Sequence, residues 1–334
     1  MKPAILISRA IFTDIVERLR EHFDVETNDA DDVWSQEELT RRLQHKAGVF
    51  VTGTERIDAA LLGACPDLRA VCSMAVGYNN IAVPACTAHG VLVSNAHDVL
   101  TETTADLGFA LMMAAARRVG ESERFLRRGE WTRWSVEMFA GADVHGATLG
   151  ILGMGRIGQA VARRGALGFG MPVLYHNRTR LDRSIEDRLN ARHVGKEQLL
   201  READQLVIVV PYSAASHHLI GAEELALMKP TATLTNIARG GLVDDAALAA
   251  ALRERRIAAA GLDVFEGEPN VHAGLLEVTN VVLTPHIGSA SIRTRRAMAN
   301  LAADNLIAAL TSGAARGVPP TALNPEVLQR AVER

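Results

Sequence analysis

The stretch Thr148-Leu-Gly-Ile-Leu-Gly-Met-Gly-Arg-Ile-Gly-Gln159 is an apolar run that breaks into glycines and continues with helix-forming residues. In a strand–turn–helix setting, the spacing of Gly153, Gly155 and Gly158 is a dinucleotide-binding fingerprint. Gly153 allows the tight turn, Gly155 lets a diphosphate approach the backbone, and Gly158 lets the helix pack close to the strand. The pattern predicts a nucleotide site at the start of this helix, and a purely structural glycine turn is the alternative.

Composition limits the class of protein further. A chain of 334 residues is long enough for two domains, and its low aromatic content of 4% suits parallel strands of aliphatic residues covered by helices. The formal net charge of -3 gives no electrostatic reason to expect binding to nucleic acid or to a membrane surface. No segment reaches the roughly 18 uninterrupted apolar residues of a membrane span. Cys65, Cys72 and Cys86 lack a C-x-x-C spacing, so we expect reduced thiols in a cytoplasmic protein.

Short apolar runs alternate with helical periodicity along the chain, which predicts two parallel α/β sheets. The predicted strands are residues 4–7, 23–26, 48–51, 68–72, 91–93, 172–176, 205–210, 232–236, 258–263 and 281–283, besides the run at Thr148. The main predicted helices are residues 12–22, 35–44, 58–64, 83–89, 101–119, 244–253 and 291–310. We expect two Rossmann-like domains with a cleft between them: a flavodoxin-like substrate domain of residues 1–99 and 288–334, and a doubly wound NAD(P)-binding domain of residues 100–287. Residues 313–334 are expected to form a surface arm.

Three titratable residues follow predicted strands of the second domain, where ligands collect in open α/β sheets. They are Arg239, Glu268 and His286. Each alone has an ordinary explanation, as a surface charge, a solvated acid or a capped histidine. Together they form a set suited to reducing a keto acid: an imidazolium donates a proton to the developing oxyanion, a carboxylate orients it, and a planar guanidinium holds the substrate carboxylate.

With these residues in view, the chain resembles the D-isomer-specific 2-hydroxyacid dehydrogenases over nearly its whole length. The motifs that carry the resemblance are Val76-Gly-Tyr-Asn79, Thr101-Glu-Thr-Thr-Ala-Asp106, Thr148 to Gly158, Asn236 to Gly241, Gly261-Leu-Asp-Val264, Glu268-Pro269 and Pro285-His-Ile-Gly288. Within the family, the chain is most similar to glyoxylate/hydroxypyruvate reductases of the type also called 2-ketogluconate reductases. The motifs that indicate this type are Met171-Pro-Val-Leu-Tyr175, His217-His-Leu-Ile220 and Pro285-His-Ile-Gly-Ser289.

The resemblance implies roles for individual residues. Arg239 holds the substrate carboxylate, His286 donates the proton and Glu268 pairs with His286. The substrate site further includes Val76 and Gly77, through their backbone N–H groups, and Ser289. The implied cofactor contacts are Gly153, Gly155, Arg156, Ile157 and Gly158 at the diphosphate, Val210, Pro211 and Ser216 on the adenosine side, and Ile237 and Asp263 near the nicotinamide. The implied reaction is the reduction of glyoxylate, hydroxypyruvate or 2-keto-D-gluconate to a 2-hydroxy acid.

One departure from the family pattern bears on the choice of cofactor. NAD-preferring members carry an Asp at the end of the second strand of the nucleotide fold, where this chain has Asn177 followed by Arg178, Thr179 and Arg180. The missing carboxylate removes repulsion of a 2′-phosphate, and arginines can pair with that phosphate. The sequence therefore predicts NADPH rather than NADH, and solvated loop arginines in an NADH enzyme are the alternative.

Two further features are a pair of adjacent histidines and an aromatic connection between the predicted elements. His217 and His218 are adjacent, but neighbouring side chains usually point different ways and no third ligand is spaced for a metal, so we expect none. The connection 129–146 carries Trp131, Trp134 and Phe139. Family members are commonly homodimers, and in this reductase type an aromatic residue from this region of the partner reaches the substrate pocket, with Phe139 the best match and Trp134 next.

Other functions on the same fold remain as alternatives. Formate and phosphite dehydrogenases share the fold, but formate dehydrogenases have a Gln beside the catalytic histidine, where this chain has Pro285-His-Ile-Gly288. Phosphoglycerate dehydrogenase is disfavoured because no regulatory domain follows residue 313. A nucleotide-sensing binding protein is the alternative from a different functional class, since such proteins retain the same Arg, Glu and His. Catalytic turnover distinguishes it from an enzyme.

Overall fold

The computed structural model describes residues 2–311 and 319–330, and the chain divides into two compact units. The first unit is Met1–Leu100 together with Ser291–Arg334, and the second is Thr101–Ala290. Each unit is built around a parallel β-sheet, so the predicted fold class of two parallel α/β domains is confirmed. In the described part of the chain, no helix is long and apolar enough to cross a membrane.

Strands and helices alternate along most of the chain. The strands are β1 (Ala4–Ile7), β2 (Asp24–Thr27), β3 (Gly48–Val51), β4 (Ala70–Ser73), β5 (Leu92–Ser94), β6 (Leu149–Leu152), β7 (Val173–His176), β8 (Ala191–His193), β9 (Gln205–Ile208), β10 (Thr233–Asn236), β11 (Ala259–Leu262) and β12 (Val281–Leu283). The helices are α1 (Thr13–His22), α2 (Gln36–Leu43), α3 (Ala59–Ala64), α4 (Val83–Ala88), α5 (Thr101–Ala116), α6 (Val119–Arg127), α7 (Arg156–Arg163), α8 (Arg183–Arg188), α9 (Lys196–Glu202), α10 (Ala222–Leu227), α11 (Asp245–Arg253), α12 (Ala273–Glu277), α13 (Ile292–Leu310) and α14 (Glu326–Arg330).

The sheet of the first unit has the strand order β2-β1-β3-β4-β5 in the described residues, which is the flavodoxin-like order. Strands β1, β3, β4 and β5 are short, mostly apolar runs that are buried on both faces, as parallel strands require, whereas the edge strand β2 is polar and partly exposed. In β1, Ile5 and Ile7 pack into one apolar cluster while Leu6 packs into another on the opposite face. Helices therefore cover both sides of this sheet.

The C-terminal segment completes the first unit. Ser291 caps the start of helix α13, because its hydroxyl accepts a hydrogen bond from the Thr294 N–H, and the helix packs on β3 and β4. The described part of the predicted surface arm is anchored on β5 rather than lying loosely on the surface. The buried Asn324 side chain accepts from the Val93 N–H at 2.7 Å and donates to the Val91 carbonyl at 2.9 Å. Residues 313–318 and 331–334 of that arm lie outside the described residues.

The sheet of the second unit has the strand order β12-β11-β10-β9-β6-β7-β8 in the described residues, all parallel. The chain winds outward from β6 through β7 to β8, and then from β9 to β12 on the other side. The order therefore reverses between β6 and β9, and ligands bind at such a switch point in doubly wound sheets. The glycine turn that follows β6 lies at this point.

Two local predictions are wrong in the second unit. The predicted helix 101–119 is two helices, α5 and α6, separated at Arg118, which has a φ of 53°. The Arg118 guanidinium pairs with Glu121 and lies over the Phe139 ring, and these contacts accompany the break. Strand β8 was not predicted, because as a partly exposed edge strand it has no apolar run to indicate it.

Candidate active site

The glycine turn after β6 has the geometry of a dinucleotide-binding turn. Gly153 has a φ of 101°, and a Cβ there would lie 2.8 Å from the backbone of Val209 and Val210. A Cβ on Gly158 would lie 2.2 Å from the carbonyl oxygen of Gly153. A Cβ on Gly155, in contrast, would meet no described atom within 4 Å. Packing thus explains Gly153 and Gly158, whereas Gly155 borders open space that a diphosphate fits.

The first turn of α7 presents N–H groups to that space. Among the described residues, no side chain caps the helix at Gly155. Arg156 is exposed and Ile157 is half-buried in this first turn. Backbone N–H groups at a helix start, together with the helix dipole, attract an anion. The residues present therefore fit the diphosphate of a dinucleotide.

Asn177 follows β7 and braces the glycine turn. Its Oδ1 atom accepts a hydrogen bond from the Met154 N–H at 2.7 Å, and its carbonyl oxygen lies 3.1 Å from Nε2 of His193. An amide here supports the turn without adding a negative charge beside the diphosphate site. Arg178 and Thr179 come next and are exposed.

Arg180 has a different environment from Arg178. Its Nε and Nη2 atoms donate to the buried Glu186 carboxylate at 2.9 and 2.7 Å, and the Tyr175 hydroxyl donates to the same carboxylate at 2.7 Å. Hydrogen bonds from Arg180 and Tyr175 lower the pKa of Glu186 to about 2. The guanidinium of Arg180 is therefore held by its own chain, and Arg178 is the more available cation after β7.

The predicted adenosine-side residues follow β9. Val210 is half-buried and lies against Gly153, while Pro211 is exposed. Ser216 is engaged within its own turn: its hydroxyl oxygen accepts from the Ser213 N–H at 2.7 Å and lies 3.2 Å from the Pro211 carbonyl oxygen. The Ser216 side chain thus shapes this loop.

Arg239 lies in a tight turn at the end of β10. The buried Asn236 side chain holds this turn, because its amide donates to the Arg239 carbonyl at 3.0 Å and accepts from the Ala238 N–H at 3.1 Å. Burial lowers the pKa of the Arg239 guanidinium from its usual value, and the charge of Glu268 acts in the opposite direction. A guanidinium still remains cationic under these conditions. Next to it, a Cβ on Gly240 would lie 1.7 Å from the Phe265 carbonyl oxygen, so the turn contacts the loop that carries Glu268.

Glu268 and His286 form a direct pair. The Nδ1 atom of His286 lies 2.7 Å from Oε2 of Glu268, and Oε1 of Glu268 accepts from the Phe265 N–H at 2.9 Å. Burial opposes ionisation of the Glu268 carboxyl, but these hydrogen bonds and the charges of His286 and Arg239 outweigh it, so the pKa of Glu268 lies below its usual value. An ionised Glu268 holds the imidazole by Nδ1 and turns Nε2 away from itself.

Asp263 supports the loop that carries His286. Its buried carboxylate accepts hydrogen bonds from the Thr284 hydroxyl at 2.6 Å, the Ile287 N–H at 2.8 Å and the Gly288 N–H at 2.7 Å. The loop holds His286 at a φ of 52°, a conformation that is uncommon and strained for a residue with a side chain. Strain of this kind persists where the surroundings impose it, and the Asp263 carboxylate supplies those constraints.

The remaining predicted site residues occupy other positions. Ile237 is buried beside Gly108 at the end of β10, and Ser289 is half-buried directly after Gly288. Val76 and Gly77 belong to the first unit, in the half-buried loop after β4. Neither of their N–H groups donates to an acceptor among the described residues. The second unit by itself brings Arg239, Glu268 and His286 into one cluster.

Comparisons with known proteins identify the family. The sequence pattern described as "D-isomer specific 2-hydroxyacid dehydrogenase, NAD binding domain" matches residues 109–288. A glyoxylate reductase of Thermococcus onnurineus (strain NA1) is 48% identical over 332 residues, which cover 98% of each chain. The chain belongs to the D-isomer-specific 2-hydroxyacid dehydrogenase family. This family consists of NAD(P)-dependent oxidoreductases, so the protein is an enzyme of that class with a nicotinamide cofactor.

Two more relatives agree with this family. The glyoxylate/hydroxypyruvate reductase B of Yersinia pestis (strain Pestoides F) is 46% identical over 329 residues, covering 98% of this chain and 99% of the relative. An NADPH-dependent glyoxylate/hydroxypyruvate reductase from Sinorhizobium meliloti, solved in complex with NADP and malonate, has a TM-score of 0.82 and 34% identity. That alignment covers 97% of this chain and 100% of the solved chain. The resemblance noted from the sequence motifs is therefore confirmed.

The aromatic connection of this family member separates into two environments. Trp134 is 72% exposed, whereas Phe139 is half-buried. The Phe139 ring packs edge-on against Phe125 with ring centroids 5.1 Å apart, and the Arg118 guanidinium lies 5.1 Å from its centroid. The Phe139 ring thus packs within its own chain, whereas most of the Trp134 side chain is exposed.

The sequence did not indicate which residues position the cluster: Asn236 was given no role, and Asp263 was expected near the nicotinamide rather than as a support for the His286 loop. Asn236 ends β10 and Asp263 directly follows β11, so a polar residue at the end of an apolar run was the signal. The close approach of Gly240 to Phe265 left no such signal, because those residues are distant in the chain. The three residues of the cluster were therefore identifiable from sequence, whereas the contacts that support them depend on the fold.

Proposed function

We propose that this enzyme reduces small 2-keto acids, glyoxylate and hydroxypyruvate first and 2-keto-D-gluconate as a further substrate, to 2-hydroxy acids with NADPH. The observation that carries the proposal is the pair of His286 and Glu268, 2.7 Å apart, with the half-buried Arg239 close enough for its charge to act on Glu268. An imidazole oriented by a carboxylate beside a guanidinium suits a substrate with a ketone next to a carboxylate. The names of the relatives support the same substrate class.

Substrate binding is assigned first to Arg239. Its planar guanidinium pairs with a carboxylate in two parallel hydrogen bonds, which fixes the orientation of the neighbouring ketone. The N–H groups of Val76 and Gly77, which have no acceptor among the described residues, are proposed as further donors to the substrate carboxylate. Ser289 is proposed at the edge of the substrate site. Malonate in the Sinorhizobium meliloti reductase structure is a carboxylate ligand of a related enzyme.

Proton transfer is assigned to His286. When bound, the nicotinamide cofactor supplies the hydride for the ketone carbon. Nε2 of His286 donates the proton that the ketone oxygen needs as it becomes an alkoxide. Glu268 holds Nδ1 and keeps Nε2 directed away from the carboxylate. Asp263 positions His286 through the loop from Thr284 to Gly288.

The preference for NADPH is proposed from the loop after β7. Asn177 places an amide where a carboxylate would repel a 2′-phosphate, and it is already committed to the Met154 N–H. Arg178 and Thr179 are exposed directly beside it. Arg180 is held by Glu186, so we assign the phosphate contact chiefly to Arg178. The diphosphate contacts are assigned to the Gly153–Gly158 turn, and Val210, Pro211, Ser216, Ile237 and Asp263 are proposed to border the rest of the cofactor.

The domain roles, the oligomer and the compartment are proposed as well. We assign the second unit to the cofactor, the first unit to the substrate, and the enzyme to a homodimer. The segment 119–136 exposes large apolar side chains, and such a surface on one chain favours a protein partner. Trp134 is the proposed partner contact. Light scattering on the protein as it elutes from a size-exclusion column gives the mass of the oligomer.

The compartment is proposed from the cysteines. Buried free thiols, with burial raising the pKa of Cys72 to about 12, suit a reducing cytoplasm.

A substrate matrix tests the proposed function. We would measure kcat/KM for glyoxylate, hydroxypyruvate, pyruvate and 2-keto-D-gluconate with NADPH and with NADH. The expected result is the highest value for glyoxylate or hydroxypyruvate with NADPH. Higher values with NADH would overturn the cofactor assignment alone. NADPH binding without reduction of any of the four acids would overturn the enzymatic proposal and favour a nucleotide-sensing protein.

A further inference from the structure

A second histidine cluster lies in the second unit, apart from the catalytic pair. The rings of His217 and His218 stack with centroids 3.9 Å apart and planes 23° apart. Consecutive side chains usually point in different directions, but His218 has a φ of 49°. This left-handed conformation is uncommon for a residue with a side chain, and it brings both rings to the same side. The His218 N–H donates to the Gly241 carbonyl at 2.7 Å and holds the turn.

A glutamate from another loop faces both rings. Oε2 of Glu266 lies 2.8 Å from Nε2 of His218, and Oε1 lies 3.8 Å from Nε2 of His217. One ligand atom from each of the three residues lies within 4.8 Å of the others. The sequence predicts no metal here, since no third ligand is spaced near the histidines. Glu266 is 48 residues beyond His218, and the fold supplies the group that local spacing does not indicate.

The far side of each ring is also backed by a polar group. Nδ1 of His217 lies 3.2 Å from the Tyr212 hydroxyl, and Nδ1 of His218 lies 3.9 Å from Oδ2 of Asp244. Metal-binding histidines commonly have such a partner on the second ring nitrogen, which fixes the tautomer and aims the other nitrogen at the ion. Both rings therefore present Nε2 to Glu266; His217 has a hydrogen-bond partner on its other nitrogen, and His218 has a carboxylate nearby that is beyond hydrogen-bond distance.

We propose that His217, His218 and Glu266 form a zinc-binding site that links the segment 211–219 to the loop between β11 and α12. Two imidazole nitrogens and one carboxylate are a ligand set typical of Zn²⁺, whereas Mg²⁺ and Ca²⁺ prefer oxygen ligands alone. The three side chains are 37–43% exposed, so water can complete a tetrahedral coordination. Modest rotations of the three side chains bring their ligand atoms around one ion.

The site would couple two functional loops without using the catalytic residues. Glu266 precedes Glu268 by two residues, and His217 follows Ser216 on the proposed adenosine side. The Glu266 N–H also donates to the Asp245 carboxylate at 3.1 Å, which ties its loop to the start of α11. A zinc ion bound only by the folded chain stabilises that fold by mass action. Zinc is therefore expected to raise the thermal unfolding temperature of the protein.

Zinc titration of the full-length, tag-free protein tests the site. The protein is first freed of metal with a chelator, then titrated with Zn²⁺ by calorimetry and heated with and without Zn²⁺. The expected result is one Zn²⁺ per chain at this site and a higher unfolding temperature. His218→Gln and Glu266→Gln are each expected to weaken binding at least about tenfold. X-ray absorption of the wild-type complex is expected to show two imidazole ligands and otherwise oxygen.

A matched control is the other stacked histidine pair of this unit. His176 and His193 stack with centroids 6.0 Å apart, and their ring nitrogens face the carbonyl oxygens of Val194 and Asn177 rather than a carboxylate. His193→Gln is expected to bind Zn²⁺ as the wild type does. Wild-type affinity in both the His218→Gln and Glu266→Gln variants would overturn the proposal. So would the absence of zinc binding, or an absorption spectrum without paired imidazoles.

Discussion

Glu266 and Glu268 lie two residues apart on one loop, and each pairs with a histidine. The two histidine–glutamate pairs have different surroundings in this enzyme. Glu268 lies 2.7 Å from His286, and Glu266 lies 2.8 Å from His218. Arg239 adds its charge beside the first pair, whereas His217 stacks on the second. We therefore propose that the same two types of side chain serve proton transfer in one pair and metal binding in the other, according to the third neighbour. The distances within each pair do not distinguish the two.

The ring nitrogens differ as well. His286 faces Glu268 with Nδ1, so Nε2 is directed away from that carboxylate. His218 faces Glu266 with Nε2, and Nδ1 lies 3.9 Å from Asp244. The hydrogen bond from Glu266, with the charges of Glu266, Asp244 and Asp245, raises the pKa of His218 above its usual value. A ring bordered by carboxylates on both nitrogens is poorly placed to give a proton to a substrate.

The largest expected effect is on kcat, which we expect to fall on substitution of His286 but not of His218. His286→Asn is expected to lower kcat by roughly 10²–10⁴-fold, because general acid catalysis contributes about that much. NADPH affinity, measured by fluorescence, is expected to stay within about threefold of the wild type, since the change leaves the glycine turn intact. His218→Gln is the matched control and is expected to retain most of the wild-type kcat. Equal loss of turnover and NADPH binding in His286→Asn would indicate a structural histidine instead.

Arg239 is the neighbour that distinguishes the His286–Glu268 pair from the other pair. Its substitution is expected to have the second-largest effect on catalysis. Arg239→Gln is expected to lower kcat/KM for glyoxylate by about 100-fold, because two charge-assisted hydrogen bonds to the substrate carboxylate are worth about 3 kcal/mol together. Arg239→Lys, which keeps the charge but not the planar fork, is expected to recover only part of this loss. Steady-state kinetics with both variants measures it. A Lys variant as active as the wild type would argue against bidentate binding.

The sequence predicted those features that have a local sequence pattern and missed those that depend on contacts between distant parts of the chain. Strands such as Gly48–Val51 and Val281–Leu283 are short apolar runs, and their predicted bounds match the structure. The edge strand Ala191–His193 has no such run and was missed. Arg239, Glu268 and His286 were identifiable because each follows a predicted strand. The approach of Glu266 to His218 was not, since it depends on how two loops meet across 48 residues.

Neighbouring residues also distinguish the two arginines after β7, Arg178 and Arg180. Arg180 is paired with Glu186, whereas Arg178 has no ion pair with any residue in the described ranges. Arg178→Ser is expected to lower kcat/KM for NADPH about tenfold, the worth of one charge-assisted hydrogen bond, and to leave the value for NADH nearly unchanged. Arg180→Ser is the comparison and is expected to change the cofactor ratio less. A larger cofactor effect in Arg180→Ser would reverse the assignment.

The smallest expected effect concerns stability at the Arg180–Glu186 pair. The pKa of Glu186 is lowered from the usual 4.5 to about 2, so the folded protein favours its ionised form. The resulting stabilisation is present above the usual pKa and is lost as the pH falls towards 2. Glu186→Gln is therefore expected to reduce the free energy of unfolding at pH 7 and to make little difference near pH 2. Denaturant titrations at several pH values measure this, and a difference that grows on acidification would contradict it.

The product formed from hydroxypyruvate tests the central claim most directly. Hydroxypyruvate and NADPH are incubated with the wild-type protein, NADPH loss is followed by absorbance, and the glycerate is resolved by chiral chromatography. We predict one D-glycerate for each NADPH consumed, as expected of a D-isomer-specific enzyme in which Arg239 and His286 fix the face of the ketone. NADPH binding without glycerate formation, or formation of L-glycerate, would contradict the account.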